Sequence, residues 1–280
     1  GPCRTVGVAK ARCESPRVGG QKAEERTDGE RSCVGWMEGC AGFREKGVPI
    51  TCVDNHTVGK ERFRPTEPAE DPDRAARRVV VVGGGPAGME AAWVAAARGH
   101  DVELFETEPQ LGGQMNWLRH MPKRNDFLTM IDQQIAACER HGVTIRTSTK
   151  FDTNVAIEHE QQPEHIVIAT GSELRSVEFP QGGAGLTLGE ALSTDWTGGT
   201  KVAFYDLLGD WSSISVVEHI ADLGADVTYL TPVAGYAWKI TRYSKTAITS
   251  RLREAGVEIR VLRAGLSFIG NEFTVEDLST

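Results

Sequence analysis

The stretch Arg78-Val79-Val80-Val81-Val82-Gly83-Gly84-Gly85-Pro86-Ala87-Gly88 decides how this chain is read. Its consecutive β-branched valines favour an extended strand. The Ala-rich run that follows, Pro86 to Arg98, predicts a helix that Gly99 stops. A second apolar run, Asp101 to Phe105, completes a parallel β-α-β unit. The turn between strand and helix satisfies G-x-G-x-x-G. Gly83 permits the tight turn, Gly85 lets the backbone approach a pyrophosphate, and Gly88 lets the helix lie close on the strand. Pro86 suits the first helical turn, where a missing N–H costs nothing, and the turn Pro86-Ala87 directs the helix N-terminus at an anion. Glu106, at the end of the second strand, is placed to take ribose hydroxyls and to repel a 2'-phosphate. The site is therefore expected to hold FAD, ADP or NAD rather than NADP.

Working outward, Asn125 to His141 reads as a helix, Val143 to Arg146 as a strand, and His165 to Ala169 as a buried strand. The alternation restarts with strand Lys201 to Tyr205, helix Ser213 to Leu223 and strand Asp226 to Leu230. Helix Lys245 to Ala255 follows, with strands at Val257 to Leu262, Leu266 to Ile269 and Phe273 to Val275. The fold class is thus α/β: two tandem Rossmann-like doubly wound domains preceded by a Cys-bearing loop segment. The expected division is an extended or disordered segment over 1–32, the Cys-bearing segment over 33–64 and a Pro- and acid-rich linker over 65–77. A first dinucleotide-binding domain over 78–190 and a second nucleotide-binding-like domain over 191–280 complete it. Two further motifs fall in the first domain. Leu111-Gly112-Gly113-Gln114 lets the chain pass close to a flavin or phosphate, or is an ordinary loop. Ala169-Thr170-Gly171 ends an apolar strand in small residues, as where a strand edge abuts a cofactor.

Composition narrows the partners. The 280 residues are 40% hydrophobic and carry a net charge of -8, which argues against a nucleic-acid or anionic-membrane surface as the main partner. Apolar runs fall far short of the roughly 20 residues a membrane span needs. With no secretory pattern at Gly1-Pro2-Cys3-Arg4 either, a cytoplasmic location is expected. Cys13, Cys33, Cys40 and Cys52 cluster near Cys3 in an otherwise Cys-poor chain, which points to metal or iron-sulfur ligation more than to disulfides. Cys138, among alanines of a helix, reads as a small core residue, and the histidines show no metal or catalytic spacing. Trp117, Trp211 and Trp238 are read as core residues before stacking platforms.

Cys33-Val34-Gly35-Trp36-Met37-Glu38-Gly39-Cys40, Cys52-Val53-Asp54-Asn55 and Val58-Gly59-Lys60-Glu61 precede the GGGPAG, LGGQ and IATG motifs in that order. This succession resembles the C-terminal part of the old-yellow-enzyme-related FMN/[4Fe-4S] oxidoreductases, the dienoyl-CoA reductase and trimethylamine dehydrogenase family, over about residues 30 to 280. The resemblance implies an FMN-bearing barrel in a partner chain, an iron-sulfur cluster, and FAD or ADP in the first nucleotide domain. Cys33, Cys40 and Cys52 match three of the family's four cluster ligands, and Trp36 stands at the fourth. An indole does not replace a thiolate. The cluster is then held by three cysteines, completed by another ligand such as Cys13 or Cys3, converted to a three-iron form, or absent.

A second departure lies after Tyr205, where Asp206-Leu207-Leu208-Gly209-Asp210-Trp211 stands in place of a glycine fingerprint. One glycine, two carboxylates and an indole disfavour a pyrophosphate there, as in the amine-dehydrogenase branch. The chain is accordingly expected to be the nucleotide-binding and electron-transfer subunit or fragment of a larger flavoprotein, and no residue is assigned as a general acid or base. Relatives return from the second domain to finish the first domain's flavin site, which favours ADP over FAD in a chain of this length. The alternatives are a self-standing NAD(P)H-dependent flavin reductase and a non-catalytic assembly subunit holding a structural nucleotide.

Overall fold

The computed structural model describes residues 33–63, 75–152 and 162–279. The expectations for 1–32, for most of the linker, and for Cys3 and Cys13 fall outside the described residues. The chain divides into two compact units. The first holds the described residues up to Asn116 together with Asn125–Ser172, and the second holds Trp117–Arg124 and the residues from Glu173 onward.

In the first unit β1 (Arg78–Val82), β2 (Asp101–Phe105), β3 (Thr144–Arg146) and β4 (His165–Ile168) form one sheet in the order β3-β2-β1-β4. All of its pairings are parallel. A parallel sheet needs crossovers, and α1 (Pro86–Ala97) and α2 (Leu128–Arg140) supply two of them. Helix α1 buries Met89, Ala92, Trp93 and Ala97, at helical spacing, against a core that includes Val81, Leu104, Ile131 and Cys138. Strand β4 corrects one expectation. It pairs with β1 at the sheet edge, and Ile166 and Ile168 are 47% and 76% exposed, so the strand is not buried.

The second unit repeats the pattern. Strands β5 (Lys201–Tyr205), β6 (Asp226–Leu230) and β7 (Glu258–Arg260) pair in parallel in that order. Helices α3 (Leu188–Ser193), α4 (Trp211–Asp222) and α5 (Arg242–Glu254) accompany them. The core is built around Tyr229, Ile214, Val216, Val217, Ile248 and Leu252. Strands β8 (Arg263–Ile269) and β9 (Glu272–Asp277) form an antiparallel hairpin. The division between units falls earlier than residue 190. Thr187 and Glu190 make a reciprocal capping box that starts α3, and its Ala191 and Leu192 enter the second core. The excursion of Trp117–Arg124 into the second unit has the same cause: Met121 is buried in that core, and Trp117 and Leu118 pack on it.

Candidate functional site

The β1–α1 loop is built by glycines that answer to different demands. Gly83 takes a φ of +109°, and a Cβ there would stand 2.3 Å from the Ala169 carbonyl oxygen. A Cβ on Gly88 would stand 1.8 Å from the Gly83 carbonyl oxygen. The chain's own packing therefore forbids a side chain at either position. Gly85 differs: its φ is -73°, open to any residue, and a Cβ there would meet no atom within 4 Å. The space in front of Gly85 is open, and α1 starts immediately behind it with no side-chain cap on its first amides. Uncapped N–H groups carrying the positive end of the helix dipole make this an anion-binding cradle.

Glu106 stands at the rim of the cradle. Its Oε2 accepts the Gly84 N–H at 2.6 Å and its Oε1 accepts the Glu108 N–H at 2.8 Å. These bonds fix the half-buried carboxylate, and each oxygen keeps a further lone pair for a ribose hydroxyl. Gly84 has no role in the fingerprint reading, although its amide anchors Glu106 and a Cβ on it would strike Leu111 at 2.4 Å. The only signal in the sequence is that three glycines stand where the motif asks for two.

Leu111-Gly112-Gly113-Gln114 closes over the same loop. The Gly112 N–H donates to the Gly84 carbonyl at 2.8 Å, and a Cβ on Gly113 would lie 3.2 Å from the Gly85 Cα. The Gln114 side-chain amide donates to the Ser172 carbonyl, and the Ala169 N–H donates to the Val82 carbonyl at 2.8 Å. Gly83, Gly85, Pro86, Gly88, Glu106, Gly112, Gly113, Gln114 and Ala169 thus line one loop cluster, with Thr170 and Gly171 next along the chain. Ala87 is exposed on the first turn of α1. The residues fit an adenylate with its pyrophosphate at Gly85, which serves ADP and the ADP half of FAD alike.

The cysteine segment is arranged differently. The Gly35 N–H donates to Cys33 Sγ at 3.4 Å, and the Cys40 thiol donates to the Met37 carbonyl at 3.7 Å. The Thr51 N–H donates to the Gly39 carbonyl at 2.8 Å, which pairs the residues preceding Cys52 and Cys40. A π-helical turn, Glu38–Gly42, follows Met37 at a φ of 64°. His56 Nδ1 lies 2.9 Å from Glu90 Oε1, which brings the segment up to α1. Among the described residues no three His, Cys, Asp or Glu side chains are gathered to hold a metal. Cys33 is exposed, Cys40 and Cys52 are half-buried, and Trp36 holds the fourth position. Three thiols and an indole do not by themselves supply the four thiolates of a [4Fe-4S] cluster, so a cluster here is held by three cysteines, completed by a further ligand, of a three-iron form, or absent.

Residues 77–279 match the family model described as pyridine nucleotide-disulphide oxidoreductase. The chain belongs to that family. It is similar to a probable N-methylproline demethylase of Rhizobium meliloti, 35% identical over 83% of this chain and 34% of that protein. An N,N-dimethylglycine/sarcosine dehydrogenase of Chromohalobacter salexigens is 30% identical over 81% of this chain and 33% of that protein. The chain spans about a third of the length of these curated relatives. In fold it is similar to the 6-hydroxypseudooxynicotine amine oxidase of Pseudomonas geniculata N1, with a TM-score of 0.86 and 22% identity over 96% of this chain and 42% of that one. Histamine dehydrogenase of Rhizobium sp. 4-9 follows with a TM-score of 0.82 and 22% identity over 97% and 41%.

Proposed function

We infer that this chain is the nucleotide-binding and electron-transfer part of an FMN/iron-sulfur flavoprotein oxidoreductase that also carries an FMN barrel. The observation that carries this reading is the open cradle at Gly85, set between the uncapped start of α1 and the fixed Glu106 carboxylate. The cradle holds the adenylate: the α1 amides take the pyrophosphate and Glu106 takes the ribose. FAD there would supply redox chemistry, whereas ADP would supply none. The similarity to an N-methylproline demethylase and an N,N-dimethylglycine/sarcosine dehydrogenase favours oxidation of N-methylated amino acids over enoyl reduction. The exposed Ile166 and Ile168 on an edge strand offer an apolar surface for an assembly. No helix among the described residues is long and apolar enough to cross a membrane.

Trp36 favours a second reading, in which the chain is a non-catalytic assembly subunit with a structural nucleotide and a lost cluster. Co-purification from the native source, with an absorbance spectrum and iron and sulfide analysis, separates the two. FMN recovered together with iron and sulfide supports the first reading. Their joint absence, with nucleotide retained, supports the second. Rapid bleaching of a flavin by NADH or NADPH with this chain alone would overturn both in favour of a self-standing reductase.

A further inference from the structure

The second unit repeats the strand–loop–helix geometry of the first, but its own side chains fill the place that the first leaves open. Asp206, 1% exposed at the end of β5, turns its carboxylate back onto the loop. Its Oδ1 accepts the Leu208 N–H at 2.8 Å, and its two oxygens accept the Gly209 N–H at 3.0 and 3.1 Å. The Ser213 hydroxyl donates to Oδ1 at 2.6 Å and the Tyr229 hydroxyl to Oδ2. Asp210 then caps α4 by accepting the Ser212 N–H at 3.0 Å. In an open β-α-β crossover these are the amides that face a pyrophosphate.

An aromatic ring covers the same loop. A Cβ on Gly209 would lie 2.1 to 2.4 Å from three ring atoms of Trp238, so the indole lies directly against the glycine backbone. The Lys239 N–H donates to the Gly209 carbonyl at 2.9 Å and fixes that approach. Trp238 is 37% exposed, so the ring is a cover and not a core residue. The indole within the loop sequence itself, Trp211, is engaged elsewhere, with the Arg124 guanidinium 4.4 Å over its ring. The contrast is sharpest at Gly85 of the first unit, where a Cβ would meet nothing within 4 Å.

We propose that Asp206 and Trp238 are the residues that deny the second unit a pyridine dinucleotide. The carboxylate holds the amides a pyrophosphate needs, and the indole covers the backbone a nucleotide would lie on. This holds whether or not the first unit carries an adenylate, so it stands apart from the function proposed above. Its consequence is that NADH and NADPH do not reach a flavin through this unit, although the family's description names a pyridine nucleotide.

The test is calorimetric titration of the full chain with NADPH in the presence of saturating ADP. ADP occupies the first unit, and Glu106 disfavours NADPH there. The wild type is expected to give no binding heat. Trp238→Ala gains measurable NADPH binding, and adding Asp206→Ser, which keeps a hydroxyl in the buried network, tightens it by about tenfold or more. Far-UV circular dichroism checks that each variant folds. If the double variant fails to fold, Trp238→Ala decides alone. NADPH binding by the wild type under saturating ADP, or no gain in folded Trp238→Ala, overturns the proposal. An absence of ADP heat would count against the adenylate site of the first unit and leave the NADPH comparison intact.

Discussion

Replacing the glycines of the β1–α1 loop one at a time separates what the fold requires from what a ligand requires. The Cβ of Gly88→Ala would stand 1.8 Å from the Gly83 carbonyl oxygen, backbone that has no side chain to swing away. Overpacking of this kind costs about 1–3 kcal/mol, offset in part by the better helix propensity of alanine, up to about 1 kcal/mol. Gly85→Ala meets nothing within 4 Å and keeps an ordinary φ of -73°. It is expected to leave stability unchanged or to raise it by up to about 1 kcal/mol, because alanine restricts the unfolded chain. Its methyl group, however, stands where a phosphate oxygen must approach the backbone. Loss of that approach weakens ADP by about tenfold or more, equivalent to roughly 1.4 kcal/mol. Thermal unfolding and ADP calorimetry on the two variants read the two effects separately. The expected pattern is a lowered Tm in Gly88→Ala, and weakened ADP binding without a lowered Tm in Gly85→Ala. Wild-type ADP affinity in Gly85→Ala would refute the reasoning that the cradle is open for a pyrophosphate.

Three other outcomes are expected. Arg124→Met removes a guanidinium that pairs with Glu218 at 3.3 Å and bonds Ser215 at 3.0 Å, both partners buried. Because Glu218 keeps Arg251, the loss is about 3 kcal/mol in denaturant unfolding. His219 is held below its ordinary value of 6.5, first by burial and then by the charge of His120, against the His120 carbonyl and Asp222, which raise it. The unfolded chain therefore binds the proton more readily in that window, so stability rises as pH climbs from the folded pKa to 6.5. His219→Gln flattens that part of the Tm profile. Burial pushes the Cys138 thiol up to about 11, so a thiol reagent at neutral pH labels exposed Cys33 and leaves Cys138 until the chain unfolds.

The first β-α-β unit was legible because its signals are local. Four consecutive valines, a glycine turn and an alanine run leave one reading, and β1, α1 and β2 fall where that reading puts them. Element ends were less legible. Strand β8 starts at Arg263 and not at Leu266, because Arg263 pairs with Asp277 across the hairpin at 2.6 Å and extends the ladder beyond the apolar run. Helix α5 starts at Arg242, three polar residues ahead of the expected Lys245. Helix α3 carries a Thr187-x-x-Glu190 cap, a start signal hidden among glycine neighbours that suggest a loop. The loop cluster of the first unit, with its glycines and the carboxylate at a strand end, was readable as a local pattern. The covering of Gly209 by Trp238 was not, since it depends on a contact between residues of different loops. Nor did composition reveal that β4 would lie at an exposed edge, since an apolar run looks the same at the centre of a sheet and at its rim.

The most direct measurement is calorimetric titration of the full chain with ADP-ribose and, separately, with 2'-phospho-ADP-ribose. The two ligands differ by the one phosphate that Glu106 would face. ADP-ribose is expected to bind at one equivalent, and its 2'-phosphorylated form at least about tenfold more weakly. Equal affinity for the two, or no binding of ADP-ribose, would contradict an adenylate cradle bounded by the Glu106 carboxylate.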